Sequence, residues 1–344
     1  MTNKIQSESQ DITYRFFNVY KFDLLKNELS LVLKNSRFPQ IYTDNEMKIR
    51  LVSELQEDGT EIFFRVFSEA NPDNLTSDND DWEEYFRVES EDYGNTSFAG
   101  FDKTNEHVYL IWGEDTNFGQ LISESYKDFN QKEVIYAASR APISKIAFHP
   151  QDRTLLAITE KYHYPIILAV NQTVRKEILK NHTPDAYPEI INWSQDMKTW
   201  LVTHTTSERS SDIFIYHREI NQLELMFNEM PALEGYRHSK MIGFDFAARD
   251  GLIIQAYLAL PPDLPLKDSS TVSDEDKLLA DQGIMPVSPQ KLVVYVHGGP
   301  QLRDSYGYDT MAAMLTNRGY AVLRANFRGS MGFGKKLRNA GYGE

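Results

Sequence analysis

The residues best suited to chemistry are His297-Gly298-Gly299-Pro300, which directly follow the apolar run Leu292-Val293-Val294-Tyr295-Val296. Acyl transfer builds negative charge on a carbonyl oxygen as the tetrahedral intermediate forms, and backbone N–H groups held at a strand end stabilise that charge. Glycine has no Cβ, so an oxygen can approach the backbone closely. Proline has no N–H, which leaves Gly298 and Gly299 as the candidate donors of the motif. A plain tight turn uses the same residue types, and the tetrapeptide alone does not separate the two readings.

Other patterns carry less. Gly329-x-x-x-x-Gly334-Lys335-Lys336 nearly spells a phosphate-binding loop, but Lys336 stands where a hydroxyl is needed for magnesium. Asp78-Asn79-Asp80-Asp81 lacks the glycine and the later glutamate of a calcium loop and reads as a solvated turn. The eight histidines are scattered, with no pair at helical ligand spacing. No cysteine occurs, which excludes disulfides, thiolate nucleophiles and cysteine zinc sites. No cofactor and no metal are therefore expected. A net charge of −14 argues against nucleic-acid and anionic-membrane partners, which need basic patches. Residues 1–8 hold no apolar signal core, and no stretch approaches the ~20 apolar residues of a membrane span. The expectation is a soluble, cytoplasmic protein.

The elements that must position the glycine loop fall into two regimes. Residues 11–233 read as short strands and turns, with almost no helical periodicity. Lys48–Val52 alternates apolar and polar, Asp58-Gly59 turns the chain, and Ile62–Val66 returns. A looser repeat opens at Phe98, Ile143 and Glu189, about 45 residues apart, the length of a four-stranded propeller blade. About five blades are expected, with a partial one at the start; a β-sandwich or meander is the other reading.

Composition shifts near Glu234-Gly235. Two strands, Met241–Ala247 and Leu252–Leu260, flank the turn Arg249-Asp250-Gly251. A long loop follows over 261–290, with five prolines and a Ser273-centred cap for a short helix through Leu279. From Leu292 the pattern is α/β: a run read as a parallel strand buried on both faces, and a helix presenting Met311, Met314 and Leu315. Gly319 ends that helix, and the strand Ala321–Leu323 follows.

These motifs together resemble the prolyl oligopeptidase family of serine peptidases, in its acylaminoacyl-peptidase-like branch. The carriers are Ala248–Leu252 with Tyr257–Pro261, Val294–Pro300, Asn326-Phe327-Arg328-Gly329-Ser330-Met331-Gly332-Phe333-Gly334, and Asn339–Glu344, in that order. The resemblance is sharp over 245–344 and softer over 11–233. It implies a partial β-propeller over 11–234 followed by the N-terminal part of an α/β-hydrolase domain over 235–344. His297, Pro300, Asn326, Arg328 and Gly329 would then stand near the site, with an oxyanion hole at Gly298-Gly299. It implies hydrolysis of short peptides by a serine, a histidine and an aspartate, beneath a propeller acting as a size filter. Glu83-Glu84 could then hold a substrate amino terminus, as paired glutamates do in the dipeptidyl-peptidase branch; a surface turn is the plainer reading.

The sequence also departs from the pattern. No Gly-x-Ser-x-Gly occurs in the 344 residues; Arg328-Gly329-Ser330-Met331-Gly332 misses by its first residue. Five blades are fewer than the family's seven or so, and the loop 261–290 is long. The expectation is a fragment cut before the catalytic serine, lacking the triad and inactive alone. It would act on a short peptide only if complemented by a second chain carrying the rest of the hydrolase domain. The alternative is a propeller-based peptide- or protein-binding module without catalysis. Exposed apolar faces and an open sheet edge beyond residue 240 would make the isolated chain prone to aggregate.

Overall fold

The computed structural model describes residues 16–67, 70–180, 186–236, 238–299 and 301–343. The N-terminal stretch read above for targeting signals, the start of the strand-rich region at 11–15, Pro300 and Glu344 lie outside the described residues.

Two compact units divide the chain, 1–137 and 138–344. The first holds β1 (Val19–Asp23), β2 (Glu28–Lys34), β3 (Gln40–Thr43), β4 (Ile49–Leu55), β5 (Glu61–Val66), β6 (Leu75–Thr76) and β7 (Trp82–Val88). It continues with β8 (Ser97–Phe101), β9 (His107–Trp112), β10 (Gln120–Ser125) and β11 (Glu133–Ala137). These strands form sheets in the orders β1-β2-β6, β3-β4-β5-β7 and β8-β9-β10-β11. Alternation builds them: in β9, Val108, Leu110 and Trp112 point inward while His107 is exposed. Consecutive sheets then pack face to face. Leu51, Phe63 and Phe86 from one sheet meet Phe101, Val108 and Leu110 from the next. Phe63 and Phe86 stack with centroids 4.4 Å apart.

The second unit begins with β12 (Ile143–Phe148), β13 (Leu155–Lys161), β14 (Pro165–Ala169), α1 (Gln172–Lys180), β15 (Tyr187–Trp193), β16 (Thr199–Thr205), β17 (Asp212–His217) and β18 (Gln222–Asn228). Its sheets run β12-β13-β14 and β15-β16-β17-β18. The three openings at Phe98, Ile143 and Glu189 fall in β8, β12 and β15, each the first strand of its sheet. The arrangement is a partial β-propeller. Helix α1 interrupts the strand pattern and was not read from the sequence. The buried Val174 anchors it to Leu156 and Trp200, and an ion pair joins Glu177 to Arg218 at 3.0 Å. So short a helix needs tertiary contacts rather than its own periodicity.

The chain then builds an α/β sheet from β19 (Met241–Ala247), β20 (Ile253–Ala259), β21 (Lys291–Val294) and β22 (Tyr320–Asn326) in the order β19-β20-β22-β21. β21 and β22 are parallel and joined through α3 (Thr310–Thr316); the other pairings are antiparallel. This is the N-terminal part of an α/β-hydrolase sheet. The loop 261–290 holds α2 (Lys277–Asp281), which starts at Asp276 without a side-chain cap, later than the Ser273 cap expected. α4 (Lys335–Asn339) closes the described fold.

Two expectations fail here. β21 is an edge strand, and Leu292, Val294 and, just past it, Val296 stay 52–60% exposed rather than buried: alternation sets them on one face, which the described residues leave uncovered. In α3 the packed face is Ala312, Ala313 and Thr316 with the expected Leu315 partly buried beside them, whereas Met311 and Met314 face outward. Small side chains let the helix axis lie close over Val322 and Ala259. Among the described residues, no helix is long and apolar enough to cross a membrane.

Candidate functional site

The glycine loop leaves the end of β21, and its geometry is set by His297. The ring stacks on Phe327, centroids 4.5 Å apart at 21°. Nδ1 lies 2.8 Å from the carbonyl oxygen of Gly298 and Nε2 lies 3.0 Å from Ser330 Oγ. A carbonyl oxygen only accepts, so Nδ1 carries the proton and donates. In the neutral ring Nε2 is then the acceptor and the Ser330 hydroxyl donates to it.

This fixes the peptide between Gly298 and Gly299. In a trans peptide the C=O and the following N–H point opposite ways. With the Gly298 carbonyl turned to His297, the Gly299 N–H points away from the ring, on an exposed face. Gly299 has φ +132°, and a Cβ there would meet the backbone nitrogens of Gln301 and Leu302 at 2.9 and 3.0 Å. Only glycine fits that position. Around Gly298 the space is open.

The other sequence-selected residues play supporting parts. Asn326 ends β22 fully buried. Its side chain clamps the backbone of Asp304, accepting from the N–H at 2.7 Å and donating to the carbonyl at 3.3 Å. Arg328 turns away from the glycines and pairs with Asp250 at 2.9 Å, across the β19–β20 turn. The guanidinium holds the Asp250 carboxyl down at about 2. Gly329 donates its N–H to the carbonyl of Leu337 at 2.9 Å, which seats α4 on the motif. Pro300 lies outside the described residues.

Ser330 was singled out in the sequence only as a failed nucleophile elbow. Here it pairs with a histidine, yet it has no exposed surface, and Nδ1 of that histidine faces a carbonyl rather than a carboxylate. A substrate cannot reach its hydroxyl, so the pair fastens the loop. Sequence reasoning also missed Arg303, Asp304 and Tyr306. Arg303 donates to the carbonyls of Gly332, Lys161 and Tyr162 at 2.8–3.0 Å. Its guanidinium lies 4.1 Å over the Phe333 ring, and burial pushes its pKa down. Asp304 forms a buried ion pair with Arg324, which also reaches Asp309 at 3.0 Å. The signal available in the sequence was two adjacent charges, Arg303-Asp304, directly after a glycine loop.

Glu83 and Glu84, on β7, are each held by an arginine of the same sheet: Arg65 at 3.0 Å and Arg87 at 2.6 Å. Asp78 accepts from Ser36 Oγ at 2.8 Å, and Asp81 accepts from the Thr76 N–H at 3.1 Å. Among the described residues, no group of three His, Asp or Glu is placed to hold a metal ion.

No family model matches the chain. It is 45% identical over 329 residues to dipeptidyl peptidase family member 6 of Caenorhabditis elegans, covering 95% of this chain and 44% of that protein. The chain is thus similar in sequence to dipeptidyl peptidase family members. A second family relative, dipeptidyl aminopeptidase BIII of Pseudoxanthomonas mexicana, is 28% identical over 96% of the chain and 45% of its own length. The chain thus spans less than half the length of these relatives. Solved structures agree on the fold. Porphyromonas gingivalis dipeptidyl peptidase 4 superposes with a TM-score of 0.56 at 12% identity, over 94% of this chain and 43% of that one. A puromycin-hydrolyzing peptidase of Mycobacterium tuberculosis gives 0.57 at 13%, over 90% and 44%. These peptidase-family homologues support a peptidase-like segment, and the binding-module alternative is not favoured.

Proposed function

We propose that these residues supply the oxyanion-stabilising side of a serine peptidase that acts on short peptides. The Gly299 N–H is the donor, with Gly298 as the flexible residue before it, and His297 with Ser330 holds the loop in the donating orientation. As the scissile carbonyl becomes tetrahedral, its oxygen gains charge beside a dipole already aimed at it, which costs no reorganisation at the moment of reaction. Residues 11–234 form the propeller that screens substrates by size, and 235–344 form the hydrolase portion beneath it.

The nucleophile and its histidine and aspartate lie outside these 344 residues. The absence of Gly-x-Ser-x-Gly from the sequence supports this, as does the share of the relatives that the chain spans. The 344 residues alone are then inactive, and a second polypeptide bearing the triad restores turnover. The observation that carries the reading is the hydrogen bond from His297 Nδ1 to the Gly298 carbonyl, because it decides which way the Gly299 N–H faces.

The experiment is complementation with the downstream segment of a family relative. A fluorophosphonate probe labels the reconstituted pair and leaves the 344-residue chain unlabelled, and peptide hydrolysis appears only in the pair. Gly299→Ala keeps the N–H, but its Cβ cannot fit at φ +132°, so in the pair the displaced donor lowers kcat by up to roughly 10²–10³, the usual loss for one oxyanion donor. Labelling of the 344 residues alone refutes the proposal.

A further inference from the structure

The segment that follows the glycine loop is pinned at two points to propeller strands. Arg303, four residues after Gly299, donates to the carbonyls of Lys161 and Tyr162 at the end of β13, at 3.0 and 2.8 Å. Tyr306 enters an aromatic cluster with Tyr164 and Tyr187, ring centroids 4.9 and 5.2 Å away. Its hydroxyl accepts from the Ser207 N–H at 3.3 Å. Between these pins, Asp304 is clamped by Asn326 of β22.

The same hairpin tip also holds the first strands of the α/β sheet. Tyr162 Oη and His163 Nε2 bind the two carboxylate oxygens of Asp245 at 3.0 and 2.8 Å. Tyr257 Oη donates to the His163 carbonyl at 2.7 Å. A Cβ on Gly243 would meet His163 ring atoms at 2.6–2.8 Å, so the ring lies directly on that strand's backbone.

We propose that Arg303 and Tyr306 are positioning residues through which the propeller strands of residues 155–207 set the orientation of the Gly298-Gly299 amides. His297 and Ser330 fix the peptide within the loop, and on its far side the loop hangs on blade carbonyls and blade tyrosines, which set where that peptide sits. Displacing the β13–β14 tip therefore displaces the donor, and a propeller that shifts on loading substrate also adjusts the oxyanion hole. The naming of these amides as oxyanion donors rests on the proposed function; the mechanical coupling does not.

The test measures backbone 15N order parameters in the full 344-residue chain for Tyr187→Ala, on the blade side, and Arg303→Met, on the loop side. Arg303→Lys, which keeps a charged donor, serves as the conservative rescue. Order parameters of Gly298 and Gly299 are expected to fall from about 0.85 to below about 0.6 in the first two variants. Residues 320–326 of β22 stay rigid, and the lysine variant recovers part of the order. Unchanged glycine order parameters in both variants overturn the proposal. So does an equal loosening of 241–259 and 320–326, which marks a merely structural role. Failure of complementation to give turnover leaves these measurements intact and counts only against the peptidase reading.

Discussion

Gly341→Ala adds one methyl group at a point where two backbones touch. The new Cβ would stand 2.6 Å from Gly329 Cα, 2.8 Å from Gly329 N and 3.1 Å from the Arg328 carbonyl carbon. All three are backbone atoms, so no side chain can swing aside. The turn cannot retreat freely, since Gly329 N–H is bonded to Leu337 and Ser330 N–H to Phe327. Forcing a methyl group into such packing costs about 1–3 kcal/mol. Gly341 has no left-handed φ, so alanine suffers no backbone strain, and the lost freedom of the unfolded chain returns about 0.4–1 kcal/mol. The net lies between about 0 and 2.6 kcal/mol, and contact with three backbone atoms that cannot swing aside puts it in the upper part, about 1–2 kcal/mol. For a unit of this size that lowers the melting temperature by roughly 2–8 °C. Gly298→Ala is the control, because no atom lies within 4 Å of its Cβ; it should melt within about 1 kcal/mol of the parent. Circular dichroism melts of the three proteins check the ranking. A Gly341→Ala protein that melts with or above the parent would refute the claim that α4 is seated by backbone contact at Gly329.

Further outcomes follow from the same structure. The Asp250 carboxyl, held down at about 2 by Arg328, contributes stability that is complete above the ordinary carboxylate value of 3.8 and is lost as the pH falls through about 2. Carboxyl 13C titration should show it, and Arg328→Met should return the midpoint towards 3.8. Burial pushes the Tyr162, Tyr187 and Tyr257 hydroxyls up to about 12 from 10. Protonated in the fold beyond the pH at which the unfolded chain ionises, they give stability that is complete below pH 10 and lost as the pH rises towards 12. Far-ultraviolet circular dichroism should therefore show a loss of stability in that window, and tyrosine Cζ 13C resonances of Tyr162, Tyr187 and Tyr257 titrating near pH 10 in the folded chain would contradict it. Val294→Lys, on the open β21 edge, should reduce self-association measured by light scattering; a parent chain that stays monodisperse at high concentration would remove the reason for it.

The amino-acid sequence by itself determined the elements whose signals are local. Lys48–Val52 alternates because a strand with one buried face must, and β4, with Ile49 and Leu51 buried around Arg50, is where it predicts one. Met241–Ala247 is bounded by its turn, and Gly319 takes φ +80° just past α3. The glycine loop was legible for the same reason, since an exposed donor beside a φ of +132° tolerates only glycine. Burial was not legible. Leu292–Val296 looks like a central strand, but its neighbour count depends on which strands pair, and here one side has none among the described residues. Nor could spacing show that His297 would turn its Nδ1 to the next carbonyl and its Nε2 to a serine 33 residues away. Arg303 reaches carbonyls 141 and 142 residues back in the chain, a contact that no residue type advertises. Periodicity and turn chemistry are written within a few residues, whereas hydrogen-bond partners are selected only when distant segments pack. The tertiary structure therefore decided that the Gly299 N–H lies on an exposed face while His297 and Ser330 hold the loop.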